Sequence, residues 1–292
     1  MPPGDRLAAE TGQAAHDLDR HRREELADFL KRRRAALRPD DVGLPNGGRR
    51  RTPGLRREEV ALLAGVGSTW YTWLEQGRSV RASVEVLEAI ALALRMTAAE
   101  RQHLLLLGRG DAPSAAPKPE LVAPSLRAVI EHLGNHPAFV VGRRFDYLAW
   151  NRAACVLLGD LDEIPVHQRN HIWLTFMQPR RRELFTDWEA SSRQAVAKFR
   201  HAAAENLGDP DFESLIAALR GSSREFCRAW KLHEVAQGSG GRKVLNHPVA
   251  GRLVFEHVVL NPQEQPDQRL ALYVPMQEDD TVARFAALMD AC

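Results

Sequence analysis

A dense cluster of arginines in the first fifth of the chain carries the clearest chemical signal in the sequence. Between Arg20 and Arg57 there are 13 basic and 5 acidic residues, although the whole chain of 292 residues has a net charge of only +2. Guanidinium groups at this density neutralise phosphates and release the counterions that surround a nucleic acid. The cluster therefore predicts a polyanionic partner for the N-terminal part, and charge alone leaves a solvated basic face as the alternative.

A segment of twenty residues that begins at Arg57 has the spacing of a helix-turn-helix. The pattern places the small Ala61 where two helices would cross, Gly65 in the turn, and Tyr71 and Leu74 on the buried side of the second helix. A small side chain lets the helices approach each other, and glycine ends the first helix in the left-handed conformation without steric cost. The opposite face of the second helix is then free to enter a major groove.

The spacing also predicts which side chains meet DNA. Four side chains of the second helix are expected to face the base edges: Ser68, Thr69, Thr72 and Trp73. Arginines before and after the motif are expected to contact phosphates, which position the protein without reading the sequence. These arginines are Arg49, Arg50, Arg51, Arg56, Arg57, Arg78 and Arg81. Trp73 offers one N–H and an apolar face, so we expect it to contact a thymine methyl group, with packing inside the domain as the alternative.

These residues resemble a known family. The stretches GRRRTPGLRREEVALLAG and YTWLEQGRSVRAS are similar to the helix-turn-helix domain of Xre-type repressors and, more narrowly, of the MmyB-like regulators, in which an Arg-rich insertion precedes the motif. The resemblance implies a lambda-repressor-like bundle that binds double-stranded operator DNA. Trp73 stands where the relatives are expected to carry arginine, so a preference for guanine is not transferred. Such domains bind as two-fold dimers, which predicts a homodimer on a palindromic operator.

Helical spacing of apolar residues runs through the N-terminal half. It predicts an all-α bundle of five helices over residues 21–110, preceded by an N-terminal tail of residues 1–20. Ser83 is expected to cap one helix, and Thr97 and Glu100 have the spacing of a capping box at the start of another. A linker rich in proline and alanine follows at residues 111–125, before a second domain at residues 126–292.

The second domain mixes helical and strand patterns. Strands are predicted at 138–142, 145–150, 243–246, 253–260 and 270–276. Helices are predicted near 152–158, 170–177, 180–205, 210–220, 223–234 and 279–290. This order predicts an α+β domain in which helices pack on one face of an antiparallel sheet.

The second domain also resembles the MmyB-like regulators, in their C-terminal ligand-binding domain, which has a PAS-like fold. The matching stretches, in order, are HPAFVVGRRFDYLAWNRAA, RRRELFTDWEASSRQAV, SREFCRAW, HPVAGRLVFEHVVL and DQRLALYV. The resemblance implies that this domain binds a small molecule and helps the chain to dimerise.

Aromatic residues are abundant in the predicted helices over the small sheet, and a concave space between these layers is a common ligand site. The predicted ligand-binding residues are Trp150, Asn151, Phe176, Trp188, Phe226, Trp230, Phe255 and His257. Asn151 and His257 are expected to orient a head group. An apolar, elongated effector such as a fatty acid is favoured, and no cofactor is expected. The alternative is a domain that recognises another protein and holds no small molecule.

Other candidates for chemistry are weak. His167 and His171 are four residues apart but lack the glutamate of a zinc hydrolase, and three dispersed cysteines form no metal motif. We therefore expect neither a metal site nor an enzyme, because an enzyme with a DNA-targeting module needs a nucleophile–base pair or a metal set. The longest apolar runs have six residues and the N-terminus lacks the apolar core of a signal peptide, so a cytoplasmic protein without a membrane partner is expected.

Overall fold

The computed structural model describes residues 3–45, 54–109, 120–236 and 240–291. Contacts divide the chain into two compact units, Met1–Ala115 with Ala203–Phe212, and Ala116–Ala202 with Glu213–Cys292. The first unit contains the helix-turn-helix, and the second contains a five-stranded antiparallel sheet with helices. The predicted fold class, an all-α bundle followed by an α+β domain, is therefore confirmed. Most of the predicted linker, residues 111–119, lies outside the described residues.

The predicted bundle is present. Its helices are α1 Pro3–Ala36, α2 Arg57–Leu63, α3 Ser68–Glu75, α4 Val84–Ala93 and α5 Ala98–Arg109. Helix α1 runs through most of the predicted N-terminal tail. Ion pairs three and four residues apart support the helix there, with Arg20 bonded to Asp17 at 3.1 Å and Arg23 to Asp19 at 3.0 Å.

Both predicted caps in the bundle are confirmed. The Ser83 hydroxyl accepts a hydrogen bond from the backbone N–H of Val86 at 3.4 Å, which satisfies a donor at the start of α4. At the start of α5, the Glu100 N–H donates to the Thr97 hydroxyl and the Thr97 N–H donates to the Glu100 carboxylate.

The remaining elements alternate helices and strands. They are α6 Pro124–Glu131, β1 Ala138–Val141, β2 Tyr147–Trp150, α7 Arg152–Leu158, α8 His171–Met177, α9 Pro179–Leu184, α10 Trp188–Glu205, α11 Pro210–Ser222, α12 Arg224–Lys231, β3 Gly241–His247, β4 Gly251–Leu260, β5 Arg269–Pro275 and α13 Thr281–Ala291. The strands pair in the order β2-β1-β5-β4-β3, and every pairing is antiparallel.

Both faces of the sheet are covered, whereas the sequence predicted helices on one face. The larger core packs α7, α8 and α13 against side chains such as Phe139, Phe255 and Tyr273. The opposite face holds Val140 and is covered by residues of α6 and the segment before it. The reason is visible in β1, whose four residues are all buried, because a strand inside a sheet can be covered on both sides.

The single helix predicted over residues 180–205 is two helices, α9 and α10. The chain leaves the helical conformation at Phe185, which forms a backbone bridge to Leu245 of β3. The Thr186 hydroxyl donates to the carbonyl of Val244 at 3.1 Å, and the Asp187 carboxylate accepts from the N–H of Ala190 at the start of α10. Pairing with a distant strand thus overrides a locally continuous helical pattern.

Candidate DNA interface and ligand-binding site

The helix-turn-helix has the predicted geometry. Ala61, Tyr71 and Leu74 are buried, and Gly65 has a φ of +66°. The N–H of Val66 donates to the carbonyl of Ala61 at 2.9 Å, a bond that closes the end of α2. Because nothing lies within 4 Å of a Cβ built at Gly65, the backbone conformation and not the available space requires glycine there.

Helix α3 presents its predicted reading face to solvent. Ser68 and Thr69 are exposed, Thr72 is partly exposed, and its hydroxyl donates to the carbonyl of Ser68 at 2.8 Å. Trp73 is 39% exposed, and the guanidinium of Arg78 lies 5.8 Å from its ring centroid. Trp73 is thus a surface residue, in a cation–π arrangement that ties the end of α3 to the residues after it.

The predicted phosphate-binding arginines have different surroundings. Arg56, Arg78 and Arg81 are exposed. At Arg56 the backbone N–H donates to the Glu59 carboxylate at 2.6 Å, which caps α2 without using the guanidinium. The residues 49–51, which hold the other three predicted arginines, lie outside the described residues.

Arg57 has a structural contact that the sequence did not reveal. Its Nε donates to the carboxylate of Glu75 at 2.7 Å, and Glu75 is fully buried. Arg34 of α1 donates to the same carboxylate with Nε at 2.6 Å and Nη2 at 3.0 Å. Burial raises the pKa of Glu75, but the hydrogen bonds from the two arginines outweigh it and hold the pKa below its ordinary value. This Arg34–Glu75–Arg57 triad joins three helices of the unit.

Four of the predicted ligand-binding residues form one continuous aromatic chain in the second unit. The Phe176 ring lies 5.6 Å from Trp188 and 5.4 Å from Phe226, which in turn stacks on Trp230 at 5.4 Å. Phe199, which is not among the predicted ligand-binding residues, extends the chain at 6.0 Å from Trp230. We call these five residues the aromatic chain.

Two other predicted residues lie on the sheet. Phe255 and His257 of β4 pack against Tyr273 of β5, with ring centroids 5.8 Å and 4.7 Å apart. Trp150 lies at the end of β2, where its indole N–H donates to Asp162 at 3.3 Å and Arg169 covers its ring. The predicted set is thus divided among the aromatic chain, the sheet face and the end of β2.

Asn151 has a structural role in place of the head-group contact that was predicted. Its amide oxygen accepts from the N–H groups of Ala138 and Ala154, both at 3.0 Å. Its amide nitrogen donates to the carbonyls of Ile130 and His136. Because all four positions of the amide are used, none remains for a ligand, and we remove Asn151 from the candidate set.

The histidine pair considered at the sequence level does not share a helix. His167 is exposed, whereas His171 begins α8 and its Nδ1 lies 2.9 Å from the hydroxyl of Tyr147. Desolvation, together with nearby positive charges, lowers the pKa of His171 to about 3, so the ring is neutral at physiological pH. These charges belong chiefly to Arg181, Lys198 and Lys243.

Arg181 is a buried arginine that was not predicted from the sequence. It lies between two exposed arginines, Arg180 and Arg182, yet it is only 1% exposed. Its guanidinium lies 5.7 Å from the ring centroid of Tyr147. Its Nε and Nη2 atoms are buried without a hydrogen-bond partner among the described residues. No sequence signal distinguishes it from the flanking arginines.

One group of side chains has the spacing of metal ligands among the described residues. Cys155, Asp160 and Asp162 each bring one ligand atom within 4.8 Å of the others. Both carboxylates are exposed, and burial raises the pKa of the Cys155 thiol, which disfavours the thiolate that a metal needs.

Among the described helices, none combines the length and the apolar character that a membrane span requires.

Comparison with known families agrees with both halves of this description. A helix-turn-helix domain model matches residues 25–104, which include α2 and α3. The model of the MmyB-like transcription regulator ligand binding domain matches residues 122–289, more than half of the chain, and includes the sheet, Arg181 and the aromatic chain. A search of the curated proteins gives no match. The chain therefore belongs to the family of MmyB-like transcription regulators, with a helix-turn-helix followed by a ligand-binding domain.

Proposed function

We propose that this regulator binds a palindromic operator as a homodimer and that its C-terminal domain senses a small apolar molecule, with a fatty acid as the favoured class. It acts by binding and not by catalysis, in the cytoplasm where operator DNA lies. The observation that carries the ligand proposal is the aromatic chain, which joins α8, α10 and α12 through rings in direct contact.

The DNA part of the proposal rests on the exposed face of α3. Ser68, Thr69 and Trp73 are available to base edges, and the exposed arginines Arg56 and Arg78 are available to phosphates. A dimer would place two copies of α3 roughly 34 Å apart, one turn of B-DNA. Sedimentation of the full chain with a palindromic operator tests this, and a complex with a single protein chain contradicts the homodimer.

The ligand part rests on the incomplete burial of the aromatic chain. Phe176 and Trp230 contact the fully buried ring of Phe226, yet both of them and Trp188 are partly exposed. The aromatic chain therefore keeps apolar surface for a further molecule, beside the guanidinium groups of Arg182 over Trp188 and Arg200 over Trp230. We infer that the effector acts by population shift, which requires different affinities for two arrangements of the dimer. Equal operator affinity with and without bound effector contradicts this mechanism.

Mass spectrometry of an organic extract from the purified, denatured protein is the direct test of the ligand. A long-chain acid in stoichiometric amount supports the proposal and identifies the chemical class. An empty extract, combined with no rise in Tm when dodecanoic acid is added, contradicts it and favours a domain that recognises another protein. The Tm test uses the full chain. A ligand that binds only the folded state raises its Tm.

A further inference from the structure

We propose that Arg181 binds the carboxylate of the effector inside the C-terminal domain, an inference that rests on the proposed function of this domain as a sensor of an apolar ligand. The proposal starts from the two nitrogens of Arg181 that are buried without a partner among the described residues, Nε and Nη2. These atoms lie on one edge of the planar guanidinium. That edge is the one that forms two parallel hydrogen bonds with a carboxylate.

The same edge is used elsewhere in this protein. Arg34 donates from Nε and Nη2 to the two carboxylate oxygens of Glu75. Within the described residues, by contrast, no carboxylate lies within ion-pair distance of Arg181. Two unsatisfied donors on a buried guanidinium are costly, and the contact of Arg181 with Tyr147 leaves Nε and Nη2 without hydrogen bonds. An external carboxylate of matching geometry would supply both missing bonds.

The surroundings of Arg181 also favour an anion. Lys198 of α10 and Lys243 of β3 are partly buried, and their charges act together with that of Arg181 on the ring of His171. Neither lysine has an ion pair with a carboxylate among the described residues, and Lys243 donates only to the amide oxygen of Gln194, at 3.4 Å. Three cations near one neutral imidazole create a positive potential that a neutral ligand would leave uncompensated.

Aromatic rings lie beside the guanidinium of Arg181. Tyr147, which lies under the guanidinium, contacts Phe139 at 5.1 Å, and Phe139 contacts Tyr273 at 6.1 Å. This arrangement of neighbouring cations beside packed aromatic rings fits a ligand with one anionic end and an apolar body. It therefore identifies the effector as a carboxylic acid and distinguishes it from the corresponding alcohol or ester.

The test compares dodecanoic acid with dodecan-1-ol by calorimetric titration of the delipidated full chain at pH 7. We expect the wild-type chain to bind the acid at least about tenfold more tightly than the alcohol, the value of one charge-assisted pair. Arg181→Met should weaken binding of the acid by a similar factor and leave the alcohol nearly unchanged. Arg180→Met, which removes an exposed arginine from the same helix, is the matched control and should change neither affinity.

Equal affinities for acid and alcohol in the wild-type chain overturn the carboxylate site but leave an apolar ligand in place, and this comparison decides even if the methionine variant does not fold. Failure of both compounds to bind overturns the proposed function, and this inference with it. A second readout is the Tm of the ligand-free chain, which should rise in Arg181→Met because two unsatisfied buried donors are removed. A fall in that Tm indicates a structural arginine and contradicts the proposal.

Discussion

Two arginines, the mostly buried Arg34 of the first unit and the buried Arg181 of the second, have different surroundings. In the first unit, Arg34 presents its Nε–Nη2 edge to the fully buried carboxylate of Glu75. In the second unit, the same edge of Arg181 is buried without a partner among the described residues. The comparison indicates that a guanidinium paired with a carboxylate of the same chain stabilises the fold, whereas a buried guanidinium without such a carboxylate is a candidate for ligand binding.

This difference fits the task of each unit in a regulator. The DNA-reading helix must keep one orientation whether or not an effector is present, and the Arg34–Glu75–Arg57 triad fixes α3 to α1 and α2 with groups from the chain itself. A sensor must change its stability when a molecule arrives. A site whose charge is completed only by the ligand has that property, because binding then couples to the free energy of the folded state.

The largest expected effect on stability comes from removing the charge of Glu75 from the Arg34–Glu75–Arg57 triad. Glu75→Gln should destabilise the first unit by about 3–5 kcal/mol, because it leaves two guanidinium groups without their carboxylate. Urea unfolding of the full chain, followed by circular dichroism, measures the change. Glu88→Gln, which removes an exposed ion pair with Arg101, is the control and should have little effect. Equal effects of the two variants would show that burial of the triad does not matter.

The dependence of stability on pH gives the next effect. Since the folded pKa of Glu75 lies below its unfolded value near 4.3, the stabilisation is fully present above that value. It is lost as the pH falls through the folded pKa and the carboxylate is protonated. We expect the Tm of the first unit to decline below about pH 4 more steeply in the wild-type chain than in Glu75→Gln. Parallel curves for the two proteins would contradict this assignment.

The third comparison separates two neighbouring arginines. Arg57→Ala should weaken DNA binding and also destabilise the first unit by about 1–2 kcal/mol, because Arg57 is 40% exposed and its pair with Glu75 is partly screened. Arg56→Ala should weaken DNA binding at all sequences and reduce its salt dependence, with the Tm unchanged. Operator titrations at several salt concentrations, together with thermal unfolding, measure both. Identical stability of the two variants would contradict a stabilising contact between Arg57 and Glu75.

The smallest expected effect is the pH dependence of ligand binding. Burial and the charges of Lys243 and Arg269 lower the pKa of Lys198 to about 8. Because the lysine loses its charge between pH 7 and 9, affinity for dodecanoic acid should fall by about fivefold over this range. Lys198→Met should flatten the profile.

Other charged groups near Lys198 need a control. His171 is already neutral in this range, but burial also lowers the pKa of Lys243. Lys243→Met therefore distinguishes the two lysines, and His257 of β4 and Tyr147 are further titratable groups near His171. If the pH dependence of affinity for dodecanoic acid is unchanged in Lys198→Met, a group other than Lys198 causes it.

The sequence predicted the elements well because most of them have strong local signals. The five strands lie within a few residues of their predicted positions, since most of them are short runs rich in Val, Leu, Phe, Tyr or Trp. Gly65 and the capping box at Thr97 were predictable because their roles depend on neighbours in the chain. Helix α1 was underestimated because a polar segment without apolar periodicity gives little sign of helix.

The site residues were harder to predict because their roles depend on distant partners. Asn151 follows a strand in a position that suits a ligand contact, but its amide is used to connect α7 with β1 and α6. Glu75 lies within a motif whose spacing predicted only its neighbours. Arg181 is indistinguishable from Arg180 and Arg182 until the break at Phe185 turns α9 toward β3. Such roles follow from tertiary pairing, which local patterns do not encode.

The aromatic chain gives this regulator a built-in optical reporter. Of its six tryptophans, Trp188 and Trp230 belong to the aromatic chain, while Trp73 lies on the exposed face of α3. Ligand that displaces water from the first two should shift their emission to shorter wavelengths, whereas contact of Trp73 with DNA bases should quench its emission. Occupancy of the effector site and of the operator can thus be followed in one unlabelled sample by two different changes in the same fluorescence spectrum.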